Sequence, residues 1–138
     1  ILSEATNQTG DTVFCRRVIF LMTTLRETKQ RITADPDNWV IALMDFVDDF
    51  RYYRDPSAFA ETLTFDNEKF DALLAATAHF LCNEMKLPIP DWLWSVPPCR
   101  HPWFVSGMES LKATALVESP LPFRLRKIFV LENFLTRV

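Results

Sequence analysis

Two histidines and three cysteines set the limits of metal and nucleophile chemistry in this sequence. His79 and Cys82 lie three residues apart, a spacing that places both on one side of a helix. Cys99 and His101 follow in a proline-rich segment. Two His and two Cys are the ligand types of a structural zinc, although Cys-x-His is not a recurring zinc half-site. The competing reading makes Cys82 a small buried apolar residue and leaves the chain with no metal or cofactor. Asp45, Asp48 and Asp49 form a second set, with Asp45 and Asp49 as i,i+4 neighbours. Carboxylates so placed could bind a divalent cation or share a proton. Either use needs partners from another helix, and no Glu-x-x-His supplies them. A solvated acidic face beside Arg51 accounts for the same residues. A nucleophile pair drawn from Cys82 or Cys99 with His79 or His101 has no local signature. Ser106-Gly107 lacks the Gly-x-Ser-x-Gly elbow.

Basic and aromatic residues offer two further readings. Arg124, Arg126 and Lys127 cluster near the C-terminus, and Arg16, Arg17, Arg26 and Arg31 precede residue 32. Bases could stack on aromatics beside such residues. The net charge of −3 and the absence of a helix-turn-helix pattern with a glycine turn argue against nucleic acid. The segment Pro88–Phe104 holds Trp92, Trp94 and Trp103 among five prolines. Trp and Arg dominate the energetic centres of protein interfaces. Arg51, Tyr52, Tyr53 and Arg54 form a second such group. The alternative is that these aromatics complete the core of a small domain, and only an exposed remainder would mark a binding patch.

These side chains must be positioned by a chain of 138 residues, the size of one domain with a substantial core. It is 49% hydrophobic and 13% aromatic, which excludes intrinsic disorder. With glycine only at 10 and 107, the phosphate-cradling loops and glycine-turned hairpins are excluded. No apolar run approaches the length of a membrane span, and Ile1–Gly10 has no signal-peptide core. Ile1 in place of an initiator Met reads as a fragment, a processed form or the ordered part of something longer. An odd cysteine count with two inside helical patterns points to reduced thiols and a cytoplasmic protein.

Hydrophobic periodicity then predicts the elements. Residues 1–10 read as a flexible lead-in, and residues 11–138 as a single helical domain. A first helix is expected over about 12–32, with Phe14, Val18, Leu21, Leu25 and Ile32 on one stripe. Asp35-Pro36 starts a second helix running to about Tyr53. A short turn follows over 56–63. Asp66 or Asn67 caps a third long helix reaching about Lys86, with Thr77 in its stripe. Proline keeps 88–103 irregular apart from one turn over 91–95. A helix from Ser106 or Gly107 to Val117 ends at Ser119-Pro120-Leu121-Pro122. Residues 123–134 fit either a last helix or an extended segment, since 127–131 also suits a strand.

The order of motifs over about residues 70–138 resembles a known bacterial pattern. It comprises Asp71-Ala-Leu-Leu-Ala-Ala, Leu87-Pro-Ile-Pro-Asp-Trp, Pro102-Trp-Phe-Val-Ser, Ala115-Leu-Val-Glu-Ser-Pro and Pro122-Phe-Arg-Leu-Arg-Lys-Ile-Phe-Val, closed by Leu135-Thr-Arg-Val. The pattern is similar to the C-terminal helical region of helix-turn-helix regulators encoded beside nucleotidyltransferase-like proteins, an arrangement like a toxin–antitoxin pair. No catalytic role comes with it. The resemblance implies a bacterial cytosolic protein with a protein partner. Residues 1–65 lack a DNA-binding module of that kind.

The expectation is therefore an all-α bundle of about five helices crossed by a Pro/Trp-rich irregular arm. Its expected function is a non-enzymatic protein-interaction or regulatory, antitoxin-like module, possessing a protein partner or pairing as a homodimer. Trp92, Trp94, Trp103 and Phe104 would be the buried anchor, and Arg124 and Arg126 would pair with partner carboxylates. The rivals are a small metal-dependent enzyme using Asp45, Asp49, His79 and His101, and a nucleic-acid-binding regulator centred on Arg124, Arg126 and Lys127.

Overall fold

The computed structural model describes residues 22–136. The expected lead-in and the first part of the first helix lie outside them. The expected helix over 12–32 is not continuous. Thr24 is extended (φ −91°, ψ 163°) and caps a new helix, α1, spanning Leu25–Ala34. The reason is local chemistry: Thr24 Oγ1 accepts from Glu27 N–H while Glu27 returns a carboxylate to Thr24 N–H, a capping box spelled Thr-x-x-Glu in the sequence.

The second helix follows the expectation. A 3-10 turn over Pro36–Asn38 leads into α2, Trp39–Tyr53. It buries Ala42, Leu43, Phe46, Val47 and Phe50. After a 3-10 turn over Pro56–Phe59, α3 spans Glu68–Glu84 with Asn67 as its cap. Every residue from Asp71 to His79 is buried, so α3 is surrounded on all sides and forms the centre of the fold. Thr77 stays in that centre because its hydroxyl donates to Leu73 O at 2.9 Å. Phe46, Phe50 and Phe59 pack at centroid distances of 4.7 to 6.2 Å and join α2 to the following turn.

The arm runs next. A 3-10 turn covers Asp91–Ser95, and a two-residue strand, β1, covers Trp103–Phe104. The expected helix from Ser106 or Gly107 begins later: a 3-10 turn over Glu109–Leu111 precedes α4, Lys112–Glu118. Ser119-Pro120 ends α4 as expected, but Pro122 sits in the first turn of α5, Leu121–Arg124, where its missing N–H costs nothing. The strand alternative after it is the one realised. Ile128–Phe129 forms β2, parallel to β1 with Trp103 opposite Ile128 and Phe104 opposite Phe129. Among the described residues the architecture is thus mostly helical, five α-helices with one minimal parallel ribbon.

Gly107 (φ 69°) holds one left-handed position, and among the described residues the others fall to cationic residues. Arg54 (φ 54°), Lys86 (φ 58°) and Lys127 (φ 59°) hold them, the first two ending α2 and α3. No helix among the described residues is long and apolar enough to cross a membrane.

Candidate functional site

The six residues expected to form one interface separate into two layers. Trp103 is half-buried in an aromatic cluster with Trp39 at 5.8 Å and Phe70 at 6.2 Å. Lys69 covers it at 5.5 Å. Phe104 stacks on Phe129 at 5.1 Å across the ribbon, beneath Lys112. Trp92 donates its indole N–H to Phe59 O at 2.9 Å and packs against the core. These three aromatics hold the arm down.

Arg126 lies deeper still, 4% exposed. It does not reach outward to a partner. Its Nη2 donates to Leu93 O at 3.1 Å and its Nη1 to Pro122 O at 3.0 Å, tying the arm's turn to α5. Nη1 also lies 3.3 Å from His79 Nδ1. Its buried Nε–H has no acceptor and its guanidinium no carboxylate among the described residues. The sequence carries the signal for this: Arg126, Ile128 and Val130 are buried alternately with Lys127 and Phe129, the period of a strand entering the core.

Trp94 and Arg124 remain outside. Trp94 is 57% exposed and meets the His79 ring edge-on at 4.9 Å. Arg124 donates to Ser119 O at 2.8 Å and Val117 O at 2.7 Å, satisfying the end of α4. Around it, Leu116 and Val117 on α4 and Leu121 and Leu125 on and just after α5 are exposed apolar side chains. Ser119 fixes the corner between these helices, accepting from Val130 N–H at 2.8 Å. Tyr52 is exposed at the end of α2 and packs edge-to-face on Tyr53, apart from this group in sequence.

The metal and nucleophile sets do not assemble. Among the described residues no three of His, Cys, Asp and Glu come together to hold an ion. Asp45 pairs with Arg31 at 2.9 Å, and Asp49 accepts from Thr23 N–H at 3.1 Å. His101 is exposed on the arm, while His79 is buried beside Arg126. Burial pushes the Cys82 thiol up to about 11 and the Cys99 thiol upward as well, the reverse of an activated nucleophile.

One polar cluster escaped the sequence reading. Lys29, 7% exposed, places its ammonium 2.7 Å from both Asp66 and Asp71 and donates to Thr64 O. Asp71 is 2% exposed; its Oδ1 makes a charge contact with Lys29 without a well-aligned hydrogen bond, and its Oδ2 accepts from Asn67 N–H at 2.9 Å. Burial alone would lower the Lys29 pKa, but the two carboxylates held against it, Asp66 and Asp71, together outweigh it and raise it. The clue was the gap in the stripe between Leu25 and Ile32, which Thr28 and Lys29 fill from inside. A cleft of about 360 Å³ opens beside Lys29, walled by Arg26, Gln30, Thr33 and Leu63. Its cations are already paired, Arg26 with Glu61 at 2.7 Å and Lys29 with Asp66.

Comparison with protein-family models, with curated proteins and with solved structures finds no match for this chain.

Proposed function

We propose that this chain is a non-enzymatic protein-interaction module of a regulatory, antitoxin-like kind, acting in a bacterial cytoplasm. The observation that supports it is the run of exposed Leu116, Val117, Leu121 and Leu125 on α4, on α5 and just after it. Exposed apolar side chains gathered in this way are the usual content of an interface centre. Trp94 stands on the turn that Arg126 binds to α5, and Arg124 supplies a cation at the same corner. Trp92, Trp103, Phe104 and Arg126 then serve by holding that surface in shape. The resemblance of residues 70–138 to the regulators' helical region leads to the same reading.

The test is isolation of the tagged full-length product from its native cell, beside a Leu121→Ser/Leu125→Ser variant, with intact-complex mass spectrometry and metal analysis. The reading expects a stoichiometric protein partner that the variant loses while its helix content stays unchanged. A partner held equally by both forms, or none, counts against it. A lone protein carrying zinc would favour the metal-dependent enzyme, and binding to nucleic acid that falls steeply with salt would favour the nucleic-acid regulator.

A further inference from the structure

We propose that His79 is an acid-operated latch that releases the arm around Asp91–Cys99 from α3. The inference concerns the isolated chain and needs no partner, so it stands or falls apart from the function proposed above.

The latch is built from three contacts. Arg126 reaches across from the end of α5 and holds Leu93 O, Pro122 O and the His79 ring together. Trp94 meets the imidazole edge-on at 4.9 Å. The backbone of Cys99 donates to Arg126 O at 3.1 Å, so the same residue anchors both ends of the segment. Because a guanidinium only donates, His79 Nδ1 must accept from it, which fixes the ring as neutral with its proton on Nε2. A proton added at Nδ1 removes that hydrogen bond and sets imidazolium against guanidinium at 3.3 Å inside the protein.

Among the described residues no compensating charge acts on the ring. On α3 itself Glu84 is engaged by Arg51 at 3.0 Å, and Cys82 is a neutral thiol. Asp91 on the arm is exposed, Arg124 is taken up by carbonyls, and Lys127 and Lys86 are further cations facing solvent. Burial, then Arg126, are what act on the ring, and both lower its pKa. The cheapest relief is to move the exposed element. Trp94 and its turn swing away, water reaches the ring and the Leu93 O contact is given up. The buried helix α3 is not free to move.

The experiment follows amide exchange of the intact chain by NMR between pH 7.5 and 5, with the His79 ring titrated in the same samples. Protection of the Val96 and Cys99 amides should fall at least about tenfold as the ring protonates. Amides in the middle of α3 should keep theirs. His79→Gln, whose amide oxygen can still accept from Arg126, should abolish the acid loss, while His101→Gln should retain it. Unchanged Val96 and Cys99 protection at pH 5 overturns the proposal, as does an equal loss in His79→Gln. Should His79→Gln fail to fold, the wild-type titration decides alone: a ring that protonates without loss of protection at Val96 and Cys99 overturns the latch.

Discussion

Lys29 enters the interior with two carboxylates around its ammonium, whereas Arg126 enters it with none among the described residues. Both cations do the same mechanical work. Lys29 joins α1 to the loop before α3 and to α3 itself, and Arg126 joins the arm to α5 and α3. Their electrostatics differ. The Lys29 cluster is a closed ion network whose charges answer one another. Arg126 relies on carbonyl dipoles and a neutral ring, so any further positive charge nearby is unopposed. Equal burial therefore gives one region that is locked over the ordinary pH range and another that acid can loosen.

The largest way to break this comparison is to open the locked side. Asp71→Asn takes away the buried carboxylate of the ammonium, leaves it only the exposed Asp66, and should cost about 3–5 kcal/mol in urea unfolding. Lys29→Met strands Asp71 similarly. The double variant Lys29→Met/Asp71→Leu should cost less than either single change, because both members of the pair leave together. A double variant as unstable as the sum of the singles would show that the pair is not a unit. Leu93→Ala, at the fully buried foot of the arm, should cost about 2–5 kcal/mol.

Arg126→Met sharpens the other side. It leaves the Leu93 and Pro122 carbonyls without their donor, at about 1–3 kcal/mol, but also removes an unanswered charge, so the net loss should be smaller than for Asp71→Asn. It should also weaken the acid effect transmitted through His79 without abolishing it, since burial acts on the ring ahead of Arg126. The smallest effect belongs to Trp94→Ala, under about 1 kcal/mol, since most of the ring already faces water. A loss as large as that of Leu93→Ala would make Trp94 a core residue and remove it from the proposed interface.

The helices were readable because their stripes, caps and breakers are local. Asp35-Pro36, Asn67 and Ser119-Pro120 each mark an element end with the residues beside it. What escaped depended on distant partners or on competition between signals. The stripe from Phe14 to Ile32 hid the Thr24–Glu27 capping box, which ends any continuous helix at that point. Arg126 looked like a surface charge among Arg124 and Lys127, and only the burial of Ile128 and Val130 sets its inward phase. Lys29 looked like an interruption, because its carboxylates arrive from 37 and 42 residues further along, at Asp66 and Asp71. The tryptophan arm was identified as a unit, yet its side chains split between supporting Trp92 and Trp103 and exposed Trp94.

The two regions should also differ in their pH windows. The raised Lys29 pKa makes its contribution complete below its ordinary value of 10.5, to be lost only as strongly alkaline pH passes the folded value. The Lys29 hydrogen bond lowers the Asp66 pKa, so that contribution is present above 3.8 and fades as pH falls through the folded value. His79 runs in the same direction as Asp66 but from a higher pH: its folded pKa is below 6.5, so the unfolded chain takes up the proton first and stability declines as pH drops from there.

The most direct measurement is urea unfolding of wild type and His79→Gln in parallel at pH 8 and pH 5. A locked Lys29 network and an acid-sensitive Arg126–His79 pair predict that wild type loses more stability than the variant on acidification, because the buried ring with its lowered pKa is present in wild type alone. Equal losses in the two proteins would contradict the account, because the acid sensitivity would then lie outside the uncompensated cation.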